Sequence, residues 1–466
     1  STTTLEVEAP ATGEPLTRIA RCQSEDVDAA VKAAKHAFSG QLGEWASWSA
    51  RKRSEWLLRF ADIIEAHQQQ LAQLECADTG KPMTQAAGDI AACARYFRFY
   101  GGAADKLHGE TIPFETDFAV MTLREPYGVC AQIIPWNYPS QIFGRCVAAA
   151  LAAGNTVVLK PAEDACLSVL RLAELAVNHD LPAGVLNVVT GLGSEAGAAL
   201  ASHPDIDHLS FTGSPETGTY VAQAAAQHHV PVTLELGGKS PQLVFADADL
   251  DAALPAVVKG IIQNAGQTCS AGSRLLVQRE IADSVVANLC ERFSALRCDT
   301  GEADADCGPL ISARQKAKLE ERLAAAEADG ISVAAKGQLA PNAPSGGHFV
   351  LPQLLTDIPI GHEVLQEELF GPVLVVQVFE DEAEALALAN ATDFGLCAGI
   401  WTRDGGRQLR LAKGIRSGQV FINNYGAAGG VELPFGGVGR SGHGREKGFE
   451  GLRSYTRIKT VAIKHN

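Results

Sequence analysis

The sequence predicts an α/β protein with mostly parallel sheets. Three observations carry this: a helical opening over residues 25–106, two successive series in which short β-branched apolar runs alternate with helix-length stretches, and a Gly237-Gly238 break between the series. In the opening layer Val27, Ala30, Val31 and Ala34 recur at helical spacing, as do Leu57, Leu58, Ala61 and Ile64. The first series has strand patterns at 129–135, 156–159, 185–189, 208–211 and 232–236, with helix patterns near 164–178, 193–202 and 215–228. The second has strand patterns at 242–245, 275–277, 373–379, 397–401 and 419–422, with helices at 249–262, 281–297, 312–329 and 405–414. The stretch 340–347, rich in Pro, Gly and Asn, reads as a surface loop. Two further strand patterns, 118–123 and 454–463, belong to no βαβ unit. Unpaired strands need covering, so these are expected either to form a small local hairpin or to pair with a second copy of the chain.

The chain has 466 residues, 46% of them hydrophobic and 20% charged, with a formal charge of −15. That length suits about three domains at roughly 150 residues each, with a large core. An acidic surface repels phosphate backbones and anionic membranes, so neither nucleic acid nor a membrane is expected as a partner. The longest uncharged stretch, 126–144, is interrupted by Pro135, Asn137 and Pro139, so no membrane span is expected. The eleven cysteines show no CxxC pair and no metal-ligand spacing with histidine. No metal is expected, and the odd count fits reduced thiols. With no basic start and apolar run at residues 1–8, the expected location is cytoplasmic.

Among these cysteines Cys269 stands out, because the flanking sequence NAGQTCSAGSR (264–274) is made of small residues and glycines that let a substrate and backbone amides approach one sulfur closely. Glu235 ends an apolar strand just before two glycines, where desolvation would raise its pKa and suit it to act as a base. Asn137 lies between two prolines in PWNYP (135–139), with a side-chain amide able to donate to a developing oxyanion. Taken singly, each has a plainer reading as a buried thiol, a surface acid and a turn residue.

Seven motifs change that balance. PWNYP (135–139), GNTVVLKPAE (154–163), FTGS (211–214), LELGGKSP (234–241), GQTCSAGSR (266–274), EELFGP (367–372) and PFGGVGRSGHGRE (434–446) occur in the order and at the approximate spacing of the aldehyde dehydrogenase superfamily, which the chain resembles over essentially its whole length. The resemblance implies a Rossmann-like NAD-binding domain (1–107 and 127–237), an α/β catalytic domain (238–440) and a small β oligomerisation element (108–126 and 452–466) that makes a homodimer or homotetramer. It implies that the Cys269 thiolate attacks an aldehyde, that Asn137 and the Cys269 N–H hold the oxyanion, and that Glu235 activates the water that releases the acid. It also implies NAD as cofactor. Gly193 and Gly197, in a GxGxxxG run, resemble the family's variant of the dinucleotide loop. The resemblance places the pyrophosphate near Ser214 and Trp136, with Phe211 and Gly213 shaping that turn, and the ribose hydroxyls on Lys160, Glu163 and Glu368, with Phe370 beside the nicotinamide. Ile133, Pro135, Ala162, Thr217, Leu236 and Gly237 complete the expected cofactor contacts.

The aldehyde itself is less legible. Tyr138, Arg145 and Ser270 are the candidate substrate residues. Arg145 has two readings: a clamp for the carboxylate of an acid semialdehyde, as in members of the superfamily that oxidise them, or a structural cation paired with an acidic neighbour. The glycine-rich segment 426–430 reads as a roomy mouth, which keeps aromatic and aliphatic aldehydes open. Two rival classes also stay open: a coenzyme A-acylating aldehyde dehydrogenase, and a non-catalytic binding protein of the same fold.

Overall fold

The computed structural model describes residues 3–41 and 43–465; residues 1, 2 and 466 of the expected terminal segments, and residue 42, lie outside the described residues. Two large sheets organise it. In the first, strands run in the order Gly442–His443, Val232–Glu235, His208–Thr212, Val129–Ile134, Thr156–Pro161, Leu186–Val188. All neighbours are parallel except the Gly442–His443 pair, which runs antiparallel to Leu234 and Glu235. The chain starts this sheet at Val129–Ile134, builds outward through Thr156–Pro161, then returns to the other side at His208–Thr212. That reversal opens a crevice beyond the carboxyl ends of Val129–Ile134 and His208–Thr212, the place where open α/β sheets bind their ligands. Pro135, Trp136 and Asn137 leave the first of these strands, and Gly213 and Ser214 the second.

The second sheet has the order Ser332–Lys336, Gln353–Thr356, Val373–Phe379, Arg274–Gln278, Pro241–Val244, Cys397–Trp401, Gln419–Ile422. Its first pair is antiparallel and the rest are parallel. Several pieces differ from the sequence expectation, among them the strand Gln353–Thr356, which it did not contain. The antiparallel edge at Ser332–Lys336, the short helix Glu382–Ala389 and the hairpin Thr4–Ala9 with Glu14–Ala20 are additions. The helix expected at 193–202 is a wide five-residue turn, Gly193–Gly197, followed by one α-turn, Ala198–Ala201, because its glycines do not hold regular helix. The helix expected from 164 starts at Leu167, where the buried carboxylate of Asp78 accepts its first amide at 2.7 Å.

The two outlying strands pair with each other inside one chain. Phe118–Pro126 runs antiparallel to Thr456–Lys464 over nine residue pairs, with Thr111–Ile112 on the other side. Of the two expected outcomes, local pairing and pairing with a second copy, the first is seen within one chain, and Thr456–Lys464 forms the long outer edge of the sheet, with the two-residue strand Thr111–Ile112 at the other. No helix among the described residues is long and apolar enough to cross a membrane.

The centre of the first half is the helix Pro139–Ala153, in which every residue except Gln141 is buried. A helix buried on all sides must still satisfy its first amides. Glu75 does so, accepting from Ser140 N–H at 3.2 Å, and its negative charge suits the positive helix end. Lys81 lies between Glu75 (3.1 Å) and Asp89 (2.6 Å) and donates to the Asn137 carbonyl at 2.9 Å. Burial works against the Lys81 charge, but the two carboxylates outweigh it and hold its pKa above the ordinary lysine range. Helix 83–103 and the loop carrying Asn137 are therefore locked together by one buried cation.

Candidate active site

All of the residues singled out from the sequence line one cavity of about 2120 Å³. A drug-sized site is on the order of 300–1,000 Å³, so this one is large enough for a dinucleotide and a second small molecule.

At the reacting end, Asn137 donates its side-chain amide to the Gln267 carbonyl at 2.9 Å, two residues before Cys269. Asn264 accompanies it, donating to the Asn137 carbonyl at 2.9 Å. Asn264 and Ala265 both adopt positive φ, so the turn that delivers Cys269 is tight and strained. The Cys269 N–H makes no backbone hydrogen bond among the described residues. Gly238 is required here: a Cβ on it would sit 2.3 Å from the Cys269 carbonyl oxygen. Burial pushes the Cys269 thiol up to about 12, so the resting sulfur carries its proton.

Glu235 is 1% exposed and neither of its carboxyl oxygens has a hydrogen-bond partner. Burial, with Glu446 adding to it, raises its pKa well above the usual carboxylate value. The carboxyl group lies against Gly436, where a Cβ would come within 2.8 Å of Oε1. Tyr138 bonds Thr268 Oγ1 through its hydroxyl at 2.8 Å, and the Ser270 carbonyl accepts from Tyr425 at 2.7 Å. Both residues thus brace the cysteine loop.

The geometry of Arg145 favours the second of its two readings, the structural cation. It reaches the cavity wall, but its guanidinium is ion-paired with buried Glu446 and also donates to Thr212 Oγ1 at 3.2 Å. Glu446 in turn accepts from Ser210 at 2.7 Å. A charge already neutralised in this way cannot clamp a substrate carboxylate without stranding Glu446, which makes the structural reading the one the geometry supports.

The other end of the cavity is polar and pre-organised. Lys160 pairs with Glu163 at 2.6 Å, and Glu163 also accepts from the Gly193 N–H at 3.2 Å. Burial pushes the Glu163 pKa up, but the Lys160 charge outweighs it and leaves the carboxyl below its ordinary value. A Cβ on Gly193 would meet nothing within 4 Å, so the backbone of this turn faces open space. Ser214 caps the helix Pro215–Ala226 by accepting from Thr217 N–H at 3.2 Å, leaving a helix start that favours an anion. Trp136 and Phe370 meet edge to face at 5.4 Å. Glu368 reaches the Gly238 N–H at 2.9 Å, and a Cβ on Gly237 would collide with its carboxylate at 2.2 Å. Burial lifts Glu368 to about 7. An exposed-backbone turn, a helix start and two carboxylates at hydroxyl-binding positions form a donor and acceptor set that fits a dinucleotide.

Sequence reasoning missed Lys81, Asn264, Glu446 and Lys447. The contacts that matter, of Lys81 and Asn264 with the Asn137 carbonyl and of Glu446 with Arg145, span 56 to 301 positions, and only Glu446 stood inside one of the seven motifs.

Comparison with known proteins agrees with this geometry. The chain is 41% identical over 461 residues to retinal dehydrogenase 2 of Homo sapiens, covering 98% of this chain and 88% of that one. It superposes on an aldehyde dehydrogenase of Bacillus cereus solved as an NAD+ complex, with a TM-score of 0.96, 41% identity and coverage of 100% and 94%. A solved Burkholderia cenocepacia protein is 59% identical, with a TM-score of 0.98 and coverage of 100% and 97%. The Aldehyde dehydrogenase family matches residues 1–461, and the chain belongs to that family.

Proposed function

We propose that the enzyme oxidises an aldehyde to its carboxylic acid with NAD+, using Cys269 as nucleophile, Asn137 as oxyanion donor and Glu235 as base. The observation that carries this is the meeting of the three in one cavity: a thiol beside an unbonded N–H, an amide fixed at 2.9 Å to the loop that bears the thiol, and a buried carboxyl free of hydrogen bonds. The Cys269 sulfur, once it has given its proton to solvent water, bonds to the aldehyde carbon, and the carbonyl electron pair moves onto oxygen. The Asn137 amide and the Cys269 N–H receive the charge on oxygen without moving. NAD+, when bound, would supply the acceptor for the hydride that the carbon loses as the oxyanion collapses to a thioester on Cys269. Glu235 then takes a proton from water, and the resulting hydroxide equivalent breaks the thioester on Cys269. The raised pKa makes Glu235 a stronger base than an exposed carboxylate once it has lost its proton.

Residues 1–107 and 127–237 serve cofactor binding and 238–440 carry the nucleophile, with Glu368 and Phe370 reaching back across the cavity. The three-stranded sheet carries exposed Ile112, Phe114, Leu123, Ile458 and Ile463 beside the open edge of Thr456–Lys464, which supports a homo-oligomer built on 108–126 and 452–466. Sedimentation of the intact chain at micromolar concentration gives a dimer or tetramer; a monodisperse monomer contradicts that assignment. Eleven free thiols fit a reducing compartment, and we assign the enzyme to the cytoplasm. The test of the activity is NADH and acid production from simple aldehydes without coenzyme A. Turnover that requires coenzyme A would favour the acylating class instead.

A further inference from the structure

The cations lining the catalytic cavity fall into three kinds. Lys160, Arg95 and Arg145 are each held by a carboxylate, from Glu163, Glu432 and Glu446. Lys259, Arg314 and Lys318 are exposed at its mouth. Lys447 is different. It lines the cavity with Cys269, Cys397 and Glu235, yet makes no ion pair or side-chain hydrogen bond among the described residues; the Phe435 ring lies 5.0 Å from its Nζ. Its charge also acts on the reacting groups, lowering the pKa of Cys269, Cys397 and Glu235 against their burial.

A second observation points the same way. Lys447 has φ 59° and ψ 167°, a conformation that glycine adopts freely and a lysine does not. Glycines stand nearby at Gly444 and Gly448, both with positive φ, but position 447 keeps a long cationic side chain. Such strain persists where the surrounding structure holds a residue in place for a purpose, and here the side chain it directs enters the aldehyde end of the cavity.

We propose that Lys447 selects the substrate: its ammonium receives a carboxylate carried by the aldehyde, so that the enzyme acts on aldehydes with an acid group at the far end. The inference rests on the aldehyde oxidation proposed above. Charge counting supports one carboxylate over a phosphate. Arg145 and Glu446 cancel, and Cys269 and Glu235 carry their protons at rest, so Lys447 is the cation there that has no ion pair among the described residues. A carboxylate balances it, whereas a phosphate dianion leaves a charge buried. Ile142, Phe421, Phe435 and Val431 add apolar wall to the same cavity, which suits an aldehyde with a hydrocarbon or aromatic body. Burial and the neighbouring Arg145 bring Lys447 down to about 8, so it keeps its proton at neutral pH.

The test is steady-state kinetics with matched pairs: 4-oxobutanoate against butanal, and 4-carboxybenzaldehyde against benzaldehyde. For the wild type, kcat/KM is expected to favour the carboxylated member of at least one pair by about tenfold or more, the scale of a hydrogen bond to a charged group. Lys447→Met should erase that preference mainly through KM, and Lys447→Arg should keep it. NAD+ binding by Lys447→Met, followed by protein fluorescence, checks that the variant folds, and the wild-type comparison stands without it. Equal kcat/KM within both wild-type pairs overturns the proposal, as does a loss of kcat that Lys447→Met imposes equally on charged and uncharged aldehydes, which would make Lys447 a support for the thiol. Absence of NADH from all four aldehydes would instead contradict the oxidation reading itself.

Discussion

At the cofactor end of the cavity the polar groups are already satisfied, Lys160 by Glu163, Ser214 by the Thr217 amide and Glu368 by the Gly238 amide. At the aldehyde end Glu235 buries both carboxyl oxygens with no hydrogen bond, Cys269 holds a thiol pushed up to about 12, and Lys447 has no counter-charge. The first arrangement gives a rigid receptor whose polar groups hold their places before a ligand arrives. The second is unfavourable for folding, because buried groups without partners cost about 1–3 kcal/mol each. That cost is tolerated where the group's discomfort is its reactivity: a base that wants a proton and a sulfur that reacts only when deprotonated.

The comparison is broken most sharply at Cys269. Cys269→Ala should lower turnover by at least about four orders of magnitude, the scale seen when a covalent nucleophile is removed. NAD+ affinity, measured by fluorescence titration, should stay within about threefold, because the cofactor end does not depend on the sulfur. Parallel loss of both would show that the two ends are not separable.

The next largest effect lies behind Asn137. Lys81→Met leaves Glu75 and Asp89 buried together without their cation, and should cost about 3–5 kcal/mol in urea unfolding. A loss below about 1 kcal/mol would mean that the carboxylates hold their places by other bonds. Asp89, which burial already raises to about 6, gives the variant a further signature: its stability deficit should shrink as pH falls and the acid takes up a proton.

At the cofactor end, Glu163→Gln should reduce the preference for NAD+ over NADP+ in kcat/KM by about tenfold, since a carboxylate repels a 2′-phosphate that an amide tolerates. An unchanged ratio would place the selectivity elsewhere.

The smallest effect is on stability and concerns Glu235. Its folded pKa lies above the unfolded value, so the stability it contributes is fully present below the unfolded pKa, roughly 4.3, and is lost as pH rises toward the folded pKa. Gln carries no charge at any pH. The Tm of Glu235→Gln relative to wild type should therefore rise as pH increases above the unfolded pKa and level off once the folded pKa is passed. A constant difference would mean that the carboxyl is hydrated in solution.

The parts of this molecule legible in the sequence are those written in contiguous residues. The strands that end at Ile134, Thr212 and Glu235 announce themselves as β-branched runs, and the motifs around Asn137, Glu235 and Cys269 identify their family. What escapes is set by tertiary partners. Arg145 reads equally well as a clamp or as half of an ion pair until Glu446, 301 positions further on, is seen against it. Lys81 gives no local sign that it supports the Asn137 carbonyl. Lys447 looks like one more surface lysine after a glycine-rich loop, and only the fold turns it inward. The strands at 118–126 and 456–464 are visible from their composition, but that they pair with each other is a fact of topology.

The division of labour between Cys269 and Glu235 is the central claim, and one measurement addresses it directly: rapid mixing of Glu235→Gln with NAD+ and an aldehyde substrate, followed by NADH fluorescence. Acylation of Cys269 should proceed, giving a fast burst near one equivalent of NADH per active site, and the following steady state should be slowed by about 10²–10⁴, the usual contribution of a general base. A first turnover as slow as the steady state, with no burst, would place Glu235 in the attack by sulfur and contradict the assignment.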